Sequence, residues 1–211
     1  MSARVGLERQ RPRRRTHAER TAETRGAIMR AVVESIAELG FKRTTASEIA
    51  RRAGVTWGAV QHHFGGKDGI LVAVLEDSFA RFAARLSDIA PDGLSLERRT
   101  DLFVERAWEH FASPHFRSTF EILQHDATPS RDGGWQGQML AAWDAVWSAL
   151  FGEAGLSRGR RLALQHYTIS VLTGLALLRR FEEPAPALRA RELALLKETL
   201  LRELAGKAAR S

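Results

Sequence analysis

The sequence predicts an all-α protein of about nine helices, arranged as a small N-terminal domain followed by a larger C-terminal one. Beyond residue 17, apolar side chains recur at spacings of three and four in almost every segment. No segment alternates apolar and polar residues in the way that a half-buried strand does. The 211 residues suffice for one sizeable core or for two smaller ones.

The charge of the chain is strongly basic and is concentrated near the N-terminus. The formal net charge is +7 and the pI is about 10.8, which attracts polyanions such as nucleic acid or an anionic membrane surface. Residues 1–17 are rich in arginine, and we predict that they form a disordered tail. The alternative is an arm that enters the minor groove of DNA, in which case deletion of residues 1–16 would flatten the salt dependence of DNA binding.

Several function classes are disfavoured by composition. The chain has no cysteine, which excludes disulfides, thiol catalysis and cysteine-ligated metals and fits a cytoplasmic protein. The longest apolar run, over residues 169–178, is too short to cross a bilayer, so we expect no membrane partner. We find no nucleophile motif, HExxH or phosphate-binding glycine loop. An acid–base cluster at Glu121, His125 and Asp126 rests on residue type alone, so we predict neither an enzyme nor a cofactor.

The N-terminal helices are delimited by residues typical of helix ends. The first is predicted over about residues 18–39 and closes at Gly40, because glycine adopts the left-handed conformation without steric cost. Thr45 to Glu48 has the capping-box pattern, so a second helix begins at Thr45, and Gly54 makes the turn after it. A short third helix is predicted over Thr56–Phe64 and a fourth over about residues 67–89.

The segment 90–93 is a turn and the best domain boundary. Five further helices are predicted over about residues 96–113, 114–126, 134–152, 157–182 and 187–204. We therefore divide the chain into a tail (1–17), a helix-turn-helix domain (18–66), a connecting helix (67–89) and a C-terminal domain (90–211).

Two short helices joined by a glycine turn are typical of a helix-turn-helix, whose second helix enters the major groove. In the third helix, Val60 and Phe64 are four residues apart and are predicted to face the core. The outward side then carries Trp57, Gly58, Gln61 and His62. Small residues allow close approach to the groove, and glutamine pairs bidentately with adenine. Lys67 begins the next helix, where its charge and the free amides favour a phosphate.

The segment Ala27–Leu75 resembles the DNA-binding domain of tetracycline-repressor (TetR) type regulators. It matches the family pattern at Gly40-Phe41, Thr44-Thr45, Ile49-Ala50, Ala53-Gly54-Val55, Gly58-Ala59-Val60, His63-Phe64, Lys67 and Leu71. It departs from the pattern at Gln61, where the family usually carries tyrosine. The resemblance implies a sequence-specific transcriptional regulator, which we expect to be a repressor on a palindromic double-stranded DNA operator, released by a small hydrophobic ligand.

The resemblance also implies which residues contact DNA. Phosphate contacts are expected from Thr45, Thr56, His62, His63 and Lys67, and base-edge contacts from Ser47, Trp57, Gly58 and Gln61. The alternatives are that the two threonines are only helix caps, that His63 only packs beside Phe64, and that Trp57 folds onto its own domain. A further alternative for the whole chain is a basic helical interaction protein with no specific DNA target.

For the C-terminal domain, the resemblance implies a homodimer interface and a cavity for a small-molecule effector. The interface is expected at Ile169, Leu172, Thr173, Ala176, Leu193, Leu196, Leu200 and Leu204; the alternative is that the leucines fill an intrachain core. The cavity is expected at Phe103, Trp108, Phe111, Phe120, Gln124, Trp143, Trp147 and His166; the alternative is that these aromatic residues are plain core.

Overall fold

In the computed structural model, the described residues are 16–89, 92–126, 134–179, 181 and 185–206. Within these ranges the chain forms nine α-helices and two short 3₁₀ helices, with no strand, which confirms the all-α prediction. The arginine-rich tail lies almost entirely outside the described residues, as do residues 90 and 91 of the predicted boundary turn. No helix in the described part has both the length and the apolarity that a bilayer span requires.

The helix boundaries differ from the sequence predictions by a few residues at most. The 3₁₀ helices span Phe41–Arg43 and Gly152–Ala154. The α-helices are α1 (His17–Leu39), α2 (Ala46–Ala53), α3 (Trp57–Phe64), α4 (Lys67–Ser87), α5 (Leu96–Phe111), α6 (Pro114–Asp126), α7 (Gly134–Phe151), α8 (Arg158–Leu178) and α9 (Pro186–Ala205).

The capping box lies on a different helix from the one predicted. At α1, the Thr16 hydroxyl accepts from the Glu19 amide, and the Glu19 carboxylate accepts from the Thr16 amide at 2.7 Å. At α2, only half of the motif forms: the Thr45 hydroxyl accepts from the Glu48 amide at 3.2 Å. The Glu48 carboxylate binds arginines instead, because a charged guanidinium is a stronger hydrogen-bond donor than a backbone amide.

Two clusters of buried side chains define the architecture. The N-terminal core comprises Ile28, Val32, Ile36, Ile49, Ala50, Val60, Ile70, Leu71, Val74, Leu75 and Ile122. The C-terminal core comprises Phe82, Leu86, Ile89, Phe103, Val104, Ala107, Phe111, Trp143, Val146, Trp147, Leu150, Phe151, Leu164, Leu172, Leu196, Leu200 and Leu204. The helix α4 contributes its first half to one core and its second half to the other, so this helix belongs to both domains.

Candidate nucleic-acid interface

Helices α2 and α3 form a helix-turn-helix whose second helix has one buried and one open side. Gly54 makes the turn with φ of 67°, a left-handed conformation that favours glycine. Val60 is fully buried in the N-terminal core, whereas Gly58, Gln61 and His62 are exposed. The outward side of α3 is therefore free to contact another molecule at these three positions, whereas Trp57, which was also predicted to face outward, packs against the N-terminal core.

The three small hydroxyl residues expected at DNA are all exposed. Thr45 and Thr56 are the N-caps of α2 and α3, each accepting a backbone N–H at 3.2 Å, and Ser47 lies in the first turn of α2. A hydroxyl that accepts a capping hydrogen bond still has its own proton to donate. Capping and a contact to a phosphate oxygen are therefore compatible at both threonines.

Three other residues expected at DNA are half-buried and have partners within the domain. Trp57 packs against the N-terminal core. The His63 ring meets the Phe64 ring edge-on at 6.4 Å between centroids. The Lys67 Nζ lies 5.0 Å from the centroid of the Phe41 ring. The structure thus places part of each side chain against its own domain, and a DNA contact would use the part that stays accessible.

Two glycines near the recognition helix have opposite surroundings. A Cβ atom added at Gly58 would meet only the Thr56 hydroxyl, at 3.8 Å. A Cβ atom added at Gly69 would lie 1.8 Å from the carbonyl oxygen of Phe64, which is impossible without a backbone shift. Packing of the protein therefore requires a glycine at 69, at the start of α4, but does not require one at 58.

Arg25 is a residue that sequence reasoning missed. From α1, its Nη1 donates a hydrogen bond to the carbonyl oxygen of His63, and its Cζ lies 4.2 Å from the centroid of the Phe64 ring. These contacts hold the C-terminal end of α3 against α1. No local pattern signals them, because the partners are 38 residues apart along the chain.

An ion-pair network holds α2 in place. Glu48 binds Arg51 at 2.6 Å and Arg52 at 2.5 Å, and Arg52 also binds Glu38 of α1 at 2.6 Å. Hydrogen bonds from Arg51 and Arg52 lower the pKa of Glu48 to about 2. The network therefore links α1 to α2 and leaves Arg51, which is 68% exposed, on the surface of the domain.

Comparison with known proteins identifies the family to which this architecture belongs. The family model described as "Bacterial regulatory proteins, tetR family" matches residues 28–74, which include α2, α3 and the turn between them. The HTH-type transcriptional regulator TtgW of Pseudomonas putida, itself uncharacterized, is 42% identical over 110 residues, or 52% of this chain and 78% of TtgW. The chain belongs to the TetR family.

Other matches agree with this assignment. The HTH-type transcriptional regulator SrpR of Pseudomonas putida is also 42% identical over 110 residues, but the match spans only about half (49%) of SrpR. The structure of FadR from Bacillus subtilis in complex with stearoyl-CoA shares the fold, with a TM-score of 0.62 over 81% of this chain and 96% of that one, at 18% identity. TetR-family proteins are DNA-binding transcriptional regulators and not enzymes, as the sequence predicted.

The C-terminal domain of this TetR-family chain contains an apolar cavity of about 180 Å³, called the chamber below. Helices α4 to α8 contribute to its wall. The residues that line it are Ser78, Phe79, Phe82, Ala83, His110, Phe111, Phe116, Thr119, Phe120, Leu123, Met139, Leu140, Ala142, Trp143, Val146, Ile169 and Thr173.

The residues expected at a ligand divide into three groups. Phe111, Phe120 and Trp143 line the chamber. Phe103 and Trp147 do not: they are 0% and 1% exposed and belong to the C-terminal core. The others lie elsewhere: Gln124 and His166 are exposed, and the Trp108 ring packs under the guanidinium groups of Arg179 and Arg189. His110 was not among the residues expected at the ligand, although it lines the chamber.

The residues expected at a dimer interface also divide. Leu172, Leu196, Leu200 and Leu204 are at most 2% exposed within their own chain, and their side chains lie in the intrachain core. Leu193 and Ala176 are half-buried against that core. Ile169 and Thr173 line the chamber. An interface on α8 and α9 would therefore use other positions of these helices.

Helix α6 contacts both domains. Phe116, Thr119 and Phe120 lie on its chamber side. The opposite side of α6 contacts the DNA-binding domain. One helix therefore forms part of the chamber wall and also supports the helix-turn-helix.

The contacts from α6 to the DNA-binding domain are both polar and aromatic. The Ser118 hydroxyl donates to the Val33 carbonyl at 2.9 Å, and the Phe41 amide donates to the Glu121 carboxylate at 3.2 Å. The His125 ring stacks on Phe41 at 4.9 Å between centroids. The Phe41 ring also lies beneath the ammonium group of Lys67, the first residue of α4. Phe41 therefore contacts both α6 and the start of α4.

Across the part of the chain that the structure describes, no group of three or more His, Asp or Glu side chains is arranged to hold a metal ion. The described residues thus form a helix, α3, with an exposed outward side, and an apolar chamber whose wall includes α4 and α6.

Proposed function

We propose that this TetR-family regulator is a repressor that binds a palindromic operator as a homodimer and leaves it when a small hydrophobic ligand fills the chamber. The observation that carries this proposal is the position of α6 between the chamber and the DNA-binding domain. A ligand that favours one position of α6 then changes the placement of the helix-turn-helix.

On the DNA side, we propose that α3 enters the major groove. Gln61 and Gly58 face the base edges, while the exposed hydroxyls of Thr45 and Thr56 hold phosphates on either side. His62, also exposed, takes a phosphate in place of the tyrosine that the family usually carries at 61. Half to two-thirds of protein–DNA hydrogen bonds go to phosphate and sugar, so this division of roles is ordinary.

We propose that the dimer forms through the outward sides of α8 and α9. Large apolar side chains are exposed there: Tyr167 and Leu178 on α8, and Leu188 and Leu195 on α9, with Leu195 62% exposed. Pairing the two helices with their copies makes a four-helix bundle that covers these side chains. The two recognition helices would then address half-sites about 34–36 Å apart, or a multiple of one helical turn.

Sedimentation equilibrium tests the interface directly. The wild type is expected to be dimeric at micromolar concentration, and Leu195→Arg is expected to be monomeric, because it places a charge at the centre of the apolar contact. Ala149→Arg, at an exposed position on α7, is the matched control and should stay dimeric. A monomeric wild type, or a dimeric Leu195→Arg, would contradict the proposed interface.

For the ligand, a chamber with mostly apolar walls and a few polar groups is typical of small-molecule sites. A ligand releases DNA only if it binds the conformation that does not fit the operator more tightly than the one that does. FadR from Bacillus subtilis, which shares the fold, was solved with stearoyl-CoA, so a domain of this fold accommodates a ligand.

The whole proposal is tested by selecting bound sites from a random DNA pool and then titrating apolar compounds against the selected complex. Enrichment of a palindrome and its release by a compound are the expected results. Weak binding without sequence preference would instead favour a basic helical interaction protein with no specific DNA target. Tighter DNA binding in the presence of the compound would contradict release.

A further inference from the structure

The imidazole of His110 lines the chamber and makes no hydrogen bond within the part of the chain that the structure describes. Five described residues on this cavity have polar side-chain groups: Ser78, His110, Thr119, Thr173 and Trp143, whose buried indole N–H has no hydrogen-bond partner among the described residues. The Thr119 hydroxyl donates to the His115 carbonyl at 2.9 Å and is hydrogen-bonded to the Ser78 hydroxyl at 3.2 Å, so this pair is already engaged. The ring nitrogens of His110, by contrast, make no hydrogen bond to any described residue.

The His110 ring is held in one position by aromatic neighbours. It is only 8% exposed and stacks on Phe82 at 4.6 Å between centroids. It also meets the edges of Phe111 and Phe116, each at 5.6 Å. A buried polar group without a partner costs free energy, and side chains of this kind in native proteins are usually bound to something.

The charge state of His110 determines what it can bind. Burial, with smaller contributions from His115 and Arg85, lowers the pKa of His110 to about 4. At neutral pH the ring is therefore uncharged, with one nitrogen that donates and one that accepts. Among the described residues, no lysine, arginine, aspartate or glutamate lines the chamber, so none of them compensates a charged ligand.

The volume of the chamber limits the size of its occupant. An apolar cavity of about 150 Å³ holds one benzene molecule. The chamber, at about 180 Å³, holds one ring with a short substituent.

We propose that the chamber takes an uncharged, single-ring aromatic compound that carries one hydroxyl group, and that His110 recognises this hydroxyl by a hydrogen bond. The inference rests on the proposed ligand site and names the chemical class of its ligand. A phenol satisfies the orphaned imidazole, while its ring fills the space between Phe111, Phe120 and Trp143.

The test compares 4-ethylphenol with ethylbenzene, which differ only in the hydroxyl group. Calorimetric titration of the wild type is expected to show at least about tenfold tighter binding of the phenol, beyond what the same pair shows with His110→Phe. His110→Phe keeps a ring of similar size in the aromatic cluster. The packing of the chamber wall is therefore kept, and the variant is expected to fold. We expect this variant to show no preference for the phenol, and to bind ethylbenzene with unchanged or higher affinity than the wild type.

Two further variants identify the group that is responsible. Thr173→Val removes the hydroxyl on the chamber wall that makes no hydrogen bond to a described residue, and this variant should keep the preference for the phenol. His166→Phe, at an exposed position on α8, is the matched histidine control and should behave as the wild type. Loss of the preference in Thr173→Val but not in His110→Phe would overturn the assignment, and so would absence of binding by both compounds.

The outcome is separable from that of the proposed function, because binding is measured without DNA. If the phenol binds with the expected preference but does not release the selected DNA, then release is wrong and the ligand class stands. If an apolar compound of another class releases the DNA and the phenol does not bind, then the ligand class is wrong and release stands.

Discussion

Substitution of Gly58 by alanine separates the stability of the fold from the recognition of DNA. The position lies in the first turn of α3, and the added methyl group would meet only the Thr56 hydroxyl at 3.8 Å, an ordinary van der Waals distance. The protein therefore accommodates the methyl without strain. Alanine is the better helix former, so the free energy of unfolding should rise by up to about 1 kcal/mol.

The same methyl group projects from the side of α3 that we assign to DNA. If the backbone at 58 lies close to the wall of the groove, the methyl group prevents this close approach. DNA binding is then weaker by about 1–3 kcal/mol, which is about 5- to 150-fold in affinity and comparable with the loss of one base contact. The assay is fluorescence anisotropy on the selected DNA site, beside urea unfolding of the same samples.

Two other glycines are the controls for this experiment. Gly159→Ala, exposed near the start of α8 with nothing near its added Cβ, should leave DNA affinity unchanged. Gly69→Ala, whose Cβ would lie 1.8 Å from the Phe64 carbonyl oxygen, should lose both stability and DNA binding. The reasoning is refuted if Gly58→Ala binds the site as tightly as the wild type, or if its loss of affinity accompanies a loss of stability.

Three further predictions concern Arg25, His110 and Glu121. Arg25→Leu removes the hydrogen bond that holds the end of α3, so it should weaken DNA binding without changing the slope of log affinity against log salt concentration. A slope reduced by about one would mean that Arg25 itself binds a phosphate. The pKa of His110 is about 4 when folded and about 6.5 when unfolded, so the unfolded state takes up the proton first and stability falls as pH drops from 6.5 towards 4. His110→Phe should remove about 3 kcal/mol of that fall in urea unfolding at the two pH values, and an identical pH profile would contradict the assignment. Glu121→Ala, which removes the acceptor for the Phe41 amide, should keep ligand affinity but reduce ligand-induced release of DNA, and full release would show that α6 acts through other contacts.

The sequence was most informative where local rules decide the structure. The ends of α2 and α3 follow from Thr45, Thr56 and the left-handed Gly54, and the inward side of α3 follows from the four-residue spacing of Val60 and Phe64. These features depend on residues within one or two helical turns of each other. Periodicity therefore predicts them without knowledge of the rest of the chain.

Spacing could not decide which apolar residues face the chain's own core and which face a partner or a cavity. Leu172 and Leu196 are buried in the intrachain core, whereas Leu195, next in sequence to one of them, is exposed. Ile169 lies on the same stripe of α8 as Leu172 but borders the chamber. All four are apolar, so the outcome depends on how neighbouring helices pack.

Long-range contacts were equally inaccessible. Arg25 reaches the carbonyl of His63, and Glu48 binds two arginines instead of completing the capping box. In both cases a charged group has several partners within reach, and only the assembled fold selects among them.

The central claim is that the outward side of α3 reads base edges in the major groove. Selection of bound sites from a random DNA pool, carried out in parallel with the wild type and Gln61→Ala, tests it most directly. We expect a two-fold symmetric site for the wild type, and for the variant a relaxed preference at the same base pair of each half-site. Identical selected sequences with equal affinity, or no enrichment with the wild type, would contradict it.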